Sequence, residues 1–216
     1  MRRVSRSDLR RAGSPWTLTC VPRRPRDIGP GYHHVWVNAT GNGSYFLDEV
    51  DRVTWVRHLV AMLDRMAWDC IAFCQMTTHV HAVFSVPDES LPIGLRDLNR
   101  EYSCDFNLRH GRVGAFLRRR FGSRRIEGAR DLLGVYSYVV LNPVAENLCL
   151  RPEEWRWSSY RTTLGMSDDF SFVDASCAIA DAGGTPGALR AVVESAARAR
   201  LQRPRPEPGS GRGLSS

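Results

Sequence analysis

The stretch CQMTTHVHAVFSVP, residues 74–87, constrains the fold more than any other part of the sequence. Its run of apolar and β-branched residues is typical of a buried β-strand, in which successive side chains point to opposite faces. We therefore expect His79 and His81 to project together from one face, with Val80 and Ala82 on the other. Two imidazoles on one face can hold a metal ion, but they can also simply hydrogen-bond within a polar sheet face. This stretch alone leaves both interpretations open.

The elements around this strand follow the order β-α-β-β-α-β-α. Alternating patterns predict strands over residues 31–40, 68–74, 79–86 and 115–126. Helical spacing predicts helices over residues 48–67, 91–109 and 128–143, the first capped by Asp48 and the last ended by Pro143. This order predicts an α+β, ferredoxin-like antiparallel sheet with helices packed on one face.

The length of 216 residues allows one well-buried domain with extensions. We expect a flexible basic arm over residues 1–26 and the folded domain over 27–165. Residues 166–202 form a C-terminal extension, with an amphipathic helix expected over 185–202. The tail at 203–216 is rich in Pro, Gly, Ser and Arg and is expected to be disordered.

The apolar segments are too short for a membrane protein. No apolar run approaches the ~20 residues that span a bilayer, and no apolar segment follows the first arginines. We therefore expect a cytoplasmic protein. The six cysteines of the chain would remain thiols in that compartment. Cys70 and Cys74 could join His79 and His81 in a zinc site, although their spacing is poor for one.

Arginine dominates the charge pattern. All 30 basic residues are Arg, and the net charge is +7. Residues 1–26 hold eight Arg and one Asp, and residues 106–126 hold seven Arg and no acid. A G+C-rich genome would explain the missing Lys but not the acid-free segment. Clustered Arg attracts polyanions, so nucleic acid is the expected partner. The candidate phosphate contacts are Arg24, Arg26, Arg118, Arg119, Arg120 and Arg124.

Tyr138 and Asn142 lie four residues apart near the end of the third predicted helix. This spacing places them on one helical face, one turn from each other. Asn142 offers an amide oxygen to a hard divalent ion, and a tyrosine phenol can attack phosphorus to form a covalent intermediate. Most tyrosines near helix ends are packing residues, so the spacing alone does not establish this chemistry.

The sequence resembles the single-tyrosine HUH transposases, particularly the REP-associated tyrosine transposases. The resemblance covers roughly residues 24–165, in order and at the expected separations. It rests on GYHHVWVNATGN (31–42), CQMTTHVHAVFSVP (74–87), LNREYSCDFNLRHGRVGAFLRRRF (98–121), YVVLNPVAENL (138–148) and RPEEWRWSSYR (151–161). The pair HVH and YVVLNPV, followed by PEEWRWSSY, is the specific part.

This resemblance implies a fold, an activity and a set of site residues. The fold is a ferredoxin-like sheet. His79 and His81 correspond to the histidine pair that binds Mg²⁺ or Mn²⁺, Tyr138 to the nucleophile, and Asn142 to a third ligand or helper. The implied substrate is single-stranded DNA containing a hairpin, cleaved to a 5′-phosphotyrosine and a free 3′-hydroxyl without ATP or an organic cofactor. Related enzymes are monomers or homodimers, so the oligomeric state stays open.

The sequence departs from the family at two places. Thr77-Thr78 replaces the usual Pro-Asn before the first histidine, and Ala145 and Asn147 replace the usual Arg and Gly. Asn tolerates the left-handed backbone that Gly serves after a helix. Loss of the Arg could weaken a DNA contact, which keeps open a second function: a domesticated, hairpin-specific DNA-binding protein without cleavage activity.

Other aromatic and histidine residues have structural interpretations. We expect His33 and His34 to be structural or close to DNA, and not metal ligands. Trp155, Trp157 and Tyr160 could stack on bases, but aromatic residues at this density more often anchor an extension on the core.

Overall fold

Four β-strands form one antiparallel sheet in the computed structural model, which describes residues 28–40, 43–117 and 121–202. The strands are β1 (Gly31–Asn38), β2 (Asp69–Gln75), β3 (His79–Val86) and β4 (Gly122–Arg125). Their spatial order is β2-β3-β1-β4. With one helix after β1 and another after β3, this is the ferredoxin-like arrangement, and the predicted fold class is confirmed.

The helices of the described chain vary from one turn to five. They are α1 (Glu49–Met66), α2 (Leu91–Arg109), α3 (Gly128–Val140), α4 (Asn142–Ala145), α5 (Tyr160–Thr163), α6 (Ser176–Ala182) and α7 (Pro186–Leu201), with a 3₁₀ turn at Pro152–Glu154. As predicted, Asp48 caps α1: its carboxylate accepts a hydrogen bond from the Asp51 backbone N–H at 3.1 Å. None of the helices described is long and apolar enough to cross a membrane.

Helices α1 and α2 cover one face of the sheet. The strands present alternate apolar residues to them, which follow the period of two expected for a half-buried strand: Val35, Val37, Val80, Ala82, Phe84 and Val86. The helices contribute the other half of this core: Trp55, Leu59, Met62, Leu63, Leu91, Leu95, Leu98, Tyr102 and Phe106. Burial of these side chains fixes which residues of β1 and β3 point to the opposite face.

The opposite face is also partly covered, which differs from the expectation that all helices lie on one face. Helices α3, α6 and α7 pack there around a second apolar core, which includes Ile71, Val83, Leu132, Val135, Tyr136, Val139, Ala178, Leu189 and Val193. Most residues in the second half of α3 are apolar, and packing against α6, α7 and the sheet buries them. The part of this sheet face that carries His34, His79 and His81 lies next to α3.

Two predicted elements are shorter than expected. The strand predicted over 115–126 consists of β4 and a single bridge between Leu117 and Ala39, and residues 118–120 lie outside the described ranges. The helix predicted to reach residue 143 ends at Val140. A new turn, α4, starts at Asn142 with Pro143 in its first turn. Proline is tolerated there because the first N–H groups of a helix have no intrahelical acceptor.

Two glycines within helices allow a test of core packing. A Cβ at Gly94 in α2 would lie 2.6 Å from Cη2 of the buried Trp68, whereas a Cβ at the exposed Gly134 in α3 would meet nothing within 4 Å. Gly94→Ala should destabilise the protein by about 1–3 kcal/mol through overpacking. Gly134→Ala should stabilise it by about 0.5–1 kcal/mol because alanine favours the helix. Urea unfolding measures both, and equal effects of the two substitutions would contradict this packing.

Candidate active site

His79 and His81 project from the sheet face opposite to α1 and α2, as their spacing predicts. Val80 and Ala82, their neighbours on β3, belong to the α1–α2 core. The two imidazole rings lie 4.9 Å apart between centroids, at an angle of 85°. His81 is buried, while His79 is partly exposed at the start of β3. The sheet therefore brings the two histidines together on one polar surface.

His34 on β1 lies beside this pair. The sequence had predicted that it would be structural or close to DNA, and not a metal ligand. Its Nε2 atom shares a hydrogen bond of 3.1 Å with Nδ1 of His81. The contact follows from the register, since Trp36 lies opposite His81 and His34 lies two residues earlier on the same face. His33 points the other way, is fully buried and bonds to the Gly29 carbonyl at 2.8 Å. Alternation along β1 could have separated the two roles.

The segment after α3 brings oxygen atoms to His79. The Asn142 side chain is buried and lies beside the His79 side chain, where it favours a higher pKa of the imidazole. The carboxylate of Glu146, just after α4, lies 3.8 Å from Nε2 of His79. Glu146 had not been predicted as a site residue, because nothing in its spacing from the histidines is distinctive.

Tyr138 lies over the histidines from α3. Its side chain is 40% exposed, and its ring contacts His81 and His34 edge-on at 5.2 Å and 5.6 Å between centroids. The guanidinium of Arg200 on α7 stands 5.2 Å from the same ring. Tyr136, two residues earlier, is fully buried in the second core. Of these two tyrosines on α3, Tyr138 is the one that faces an open space.

That space is a cavity of about 440 Å³. Its lining joins residues from β1, β3, β4 and α3, namely His34, Trp36, Asn38, His79, His81, Arg124 and Tyr138. Trp36 and Asn38 follow His34 at intervals of two on β1, so they share its face. They had not been predicted as site residues.

The histidines of the cavity are held neutral. Burial, aided by the positive charge of Arg124, lowers the pKa of His34 to about 4. Burial and the two neighbouring histidines lower the pKa of His81 to about 3. Burial also lowers the pKa of His79, against the opposing influence of Glu146 and Asn142. Neutral imidazoles with free lone pairs are the form in which histidine binds metals.

The donor set fits a divalent ion bound through two imidazoles and an amide. Nδ1 of His81 is engaged by His34, and Nδ1 of His79 lies 3.0 Å from the Thr78 hydroxyl. Such outer contacts orient metal-binding histidines and leave Nε2 for the ion. Within the described ranges, no group of three or more His, Cys, Asp or Glu side chains is placed to hold an ion, and the further donor beside the two imidazoles is the Asn142 amide.

The surroundings of the two cysteines do not favour the zinc alternative. Cys70 and Cys74 are fully buried and form no metal-binding group with the histidines among the residues described. Burial raises the pKa of both thiols well above the usual range. A thiol in such surroundings does not readily give the thiolate that zinc requires.

Of the arginines predicted to contact DNA, Arg124 is the one whose structure is described. Its guanidinium forms a bidentate ion pair with Asp131, at 2.8 Å and 2.9 Å, while its side chain remains half exposed beside the cavity. The other candidates, Arg24, Arg26, Arg118, Arg119 and Arg120, lie outside the described residues.

Comparison with known proteins supports the fold. Neither the protein-family models nor the curated proteins gave a match. Among solved structures, the chain is similar to a REP-associated tyrosine transposase bound to a REP hairpin, with a TM-score of 0.58 and 16% sequence identity. The similarity covers 70% of this chain and 95% of that one. At this identity it establishes a shared ferredoxin-like fold.

The lowered histidine pKa values predict how stability depends on pH. The unfolded chain binds protons below the ordinary histidine pKa of 6.5, whereas folded His34 and His81 remain neutral down to about 4 and 3. The free energy of unfolding should therefore fall as the pH drops from 6.5 towards 4, by up to about 1.4 kcal/mol per pH unit for each such histidine.

Urea unfolding of metal-free protein across this range measures the effect. His34→Gln removes one of the histidines with a lowered pKa and should give a shallower dependence on pH. Asp48, whose pKa is lowered to about 2 by Arg109, loses its stabilising ion pair only below its ordinary value of 3.8 and so does not contribute here. An identical pH dependence in both proteins would show that His34 is protonated normally in the folded state.

Proposed function

We propose that this protein is a transposase-type DNA strand transferase that cleaves and rejoins single-stranded DNA through Tyr138. The observation that carries the proposal is the position of the exposed Tyr138 phenol against His81, which lies beside His79 on the same sheet face, at the edge of an open cavity. This arrangement combines a nucleophile with a metal-binding donor set, which is what transesterification of a phosphodiester requires.

In this proposal His79, His81 and Asn142 hold Mg²⁺ or Mn²⁺. When bound, the ion would polarise the phosphoryl oxygens and help to carry the charge of the leaving group. The contribution of the chain is to keep both imidazoles neutral and oriented. Burial prevents their protonation, and the contacts of His34 and Thr78 fix the two rings.

The Tyr138 hydroxyl would attack the phosphorus of a phosphodiester. An O–P bond forms to the tyrosine as its proton leaves, and the bond to the 3′-oxygen breaks, so that the leaving strand ends in a 3′-hydroxyl after gaining a proton. The 5′-phosphotyrosine retains the energy of the broken bond, and attack by another 3′-hydroxyl reverses the step. No nucleotide cofactor is therefore needed.

DNA containing a hairpin is the proposed partner. The chain carries a net charge of +7 with arginine as its sole basic residue type, which favours polyanions and bidentate contacts to phosphate. The similar solved structure is that of a REP-associated tyrosine transposase bound to a REP hairpin.

A second candidate is a hairpin-binding protein without cleavage activity. Ala145 favours it, because the resembling family carries an arginine at this position and its loss removes a possible DNA contact from the edge of the site. Both functions predict DNA binding, so formation of a covalent adduct separates them.

Replacing Tyr138 with Phe should abolish the covalent adduct with a hairpin oligonucleotide that has single-stranded flanks. The ring and its contacts with His34 and His81 are kept, so DNA affinity should change little while the attacking oxygen is lost. Denaturing gel electrophoresis detects the adduct, and fluorescence anisotropy measures the affinity.

Tyr136→Phe is the matched control, because Tyr136 lies on the same helix and is fully buried. This variant should still form the adduct. An adduct in the Tyr138→Phe protein would exclude Tyr138 as the nucleophile. Tight binding without any adduct in the unmodified protein would favour the second candidate.

His79→Ala and His81→Ala should each weaken Mn²⁺ binding by at least about tenfold, since each removes one ligand of the proposed site. Titration calorimetry with Mn²⁺ measures the affinity directly, without relying on activity. The same variants should lose cleavage, and EDTA should stop it in the unmodified protein. Cleavage that continues undiminished in EDTA would remove the metal from the mechanism.

A further inference from the structure

A larger cavity, of about 670 Å³, is formed in part by the segment that follows α4. We refer to it as the Arg52 pocket. It is lined by residues of α1, of the segment after α4, of the 3₁₀ turn and of the segment after that turn: Arg52, Asn147, Leu148, Cys149, Leu150, Glu154, Trp155, Arg156 and Trp157. None of the roles assigned above involves this pocket.

Arg52 is a buried cation in this pocket that forms no ion pair with a described carboxylate. The residue is only 8% exposed, and one of its N–H groups donates to the Gln75 carbonyl at 2.9 Å. Its guanidinium lies over the rings of Phe46, Trp155 and Trp157, at 4.8, 5.6 and 5.3 Å. The Arg52 charge is thus stabilised by a carbonyl and aromatic rings without a paired carboxylate, which leaves the guanidinium able to attract an anion into the pocket.

A second guanidinium is available at the rim. Arg156 lies 4.6 Å from the Trp157 ring and forms an ion pair of 3.0 Å with Glu49. Both partners of this pair are more than half exposed, so the pair contributes little stability and can be exchanged for a phosphate contact. The Glu154 carboxylate does not oppose this, because Arg151 and two backbone N–H groups already compensate it.

The pocket also offers an apolar surface. Leu148 and Leu150 are exposed at its rim, at 43% and 88%, and the Trp155 indole is fixed by donating to the Gln75 carbonyl at 3.0 Å. Together with the arginines, this combination is typical of sites that hold the bases and the backbone of single-stranded nucleic acid.

One residue of the Arg52 pocket is the direct sequence neighbour of a residue that contacts the candidate active site. Asn147 lines the pocket and directly follows Glu146, whose carboxylate lies 3.8 Å from Nε2 of His79. The wall of the pocket therefore begins one residue after a side chain that reaches the proposed catalytic surface. This adjacency is what would allow a strand at Tyr138 to place a neighbouring nucleotide in the pocket.

We propose that the Arg52 pocket binds one nucleotide of the single-stranded DNA next to the cleavage point. Its phosphate contacts Arg52 and Arg156, and its base packs against Leu148, Leu150 and Trp155. This assignment rests on the proposed function, because it takes the substrate to be single-stranded DNA held at Tyr138.

Cysteine footprinting tests the assignment in the intact protein. Cys149 lines the pocket, and the exposed Cys104 on α2 lies away from it and serves as the internal control. Alkylation by iodoacetamide is followed at each cysteine by mass spectrometry of peptides. A hairpin oligonucleotide with single-stranded flanks should slow alkylation of Cys149 by at least about fivefold, since only an accessible thiol reacts, and leave Cys104 unchanged. A blunt hairpin should protect neither.

An arginine variant gives an independent measurement. Arg156→Ala should weaken binding of the flanked oligonucleotide and lower the slope of log affinity against log salt by about 0.7, the value for one lost phosphate contact on a single strand. Its affinity for the blunt hairpin should not change. Arg96→Ala is the matched control, because Arg96 is equally exposed and ion-paired, to Asp97 on α2.

The outcomes separate this assignment from the proposed function. Flanked DNA that binds tightly but leaves the reactivity of Cys149 unchanged would overturn the pocket assignment and leave the strand transferase intact. Equal protection by the blunt hairpin would also overturn it, because the contact would then not require a single strand. Absence of any DNA binding would overturn both proposals.

Discussion

The antiparallel pairing of β1 with β3 at the centre of the sheet is the constraint on which the site depends. The register places Trp36 opposite His81 and Val35 opposite Ala82, so polar and apolar residues segregate to opposite faces. Apolar side chains on one face are buried under α1 and α2, and a slip of one residue would exchange the two faces. The hydrophobic core on one face therefore fixes the positions of His34, His79 and His81 on the other.

Local pattern was sufficient to predict most elements of this fold. Strand β3 and helix α2 have the predicted bounds, and the Asp48 cap was identified because a carboxylate before a helical pattern has a specific local role. The covering of the second sheet face could not be predicted in this way. It depends on α6 and α7, which are distant in sequence and become partners of α3 only in the folded chain.

In the candidate site, too, the sequence predicted the residues that share one segment but not the contacts between segments. His79, His81, Tyr138 and Asn142 were selected from spacing within single segments, and the structure brings them together. The contacts of His34, Glu146 and Arg200 depend on the pairing of strands and on the ending of helices, for which sequence spacing has no signal. The predicted helical face shared by Tyr138 and Asn142 is also modified, since α3 ends between them.

The interruption between α3 and α4 explains how one short segment reaches both His79 and the Arg52 pocket. Leu141 ends α3, and Pro143 cannot donate the backbone hydrogen bond that would continue it, so the chain starts a new turn at Asn142. This turn directs Asn142 and Glu146 to His79. Asn147 then adopts a left-handed conformation, with φ of 58°, and the chain reverses into the wall of the Arg52 pocket. Five residues separate Asn142 from the pocket residue Leu148, and backbone hydrogen bonds from Glu146 to the Asn142 carbonyl and from Leu148 to the Pro143 carbonyl hold this turn together. In the proposed complex, this turn would therefore set the distance between the DNA contacts near His79 and those in the Arg52 pocket.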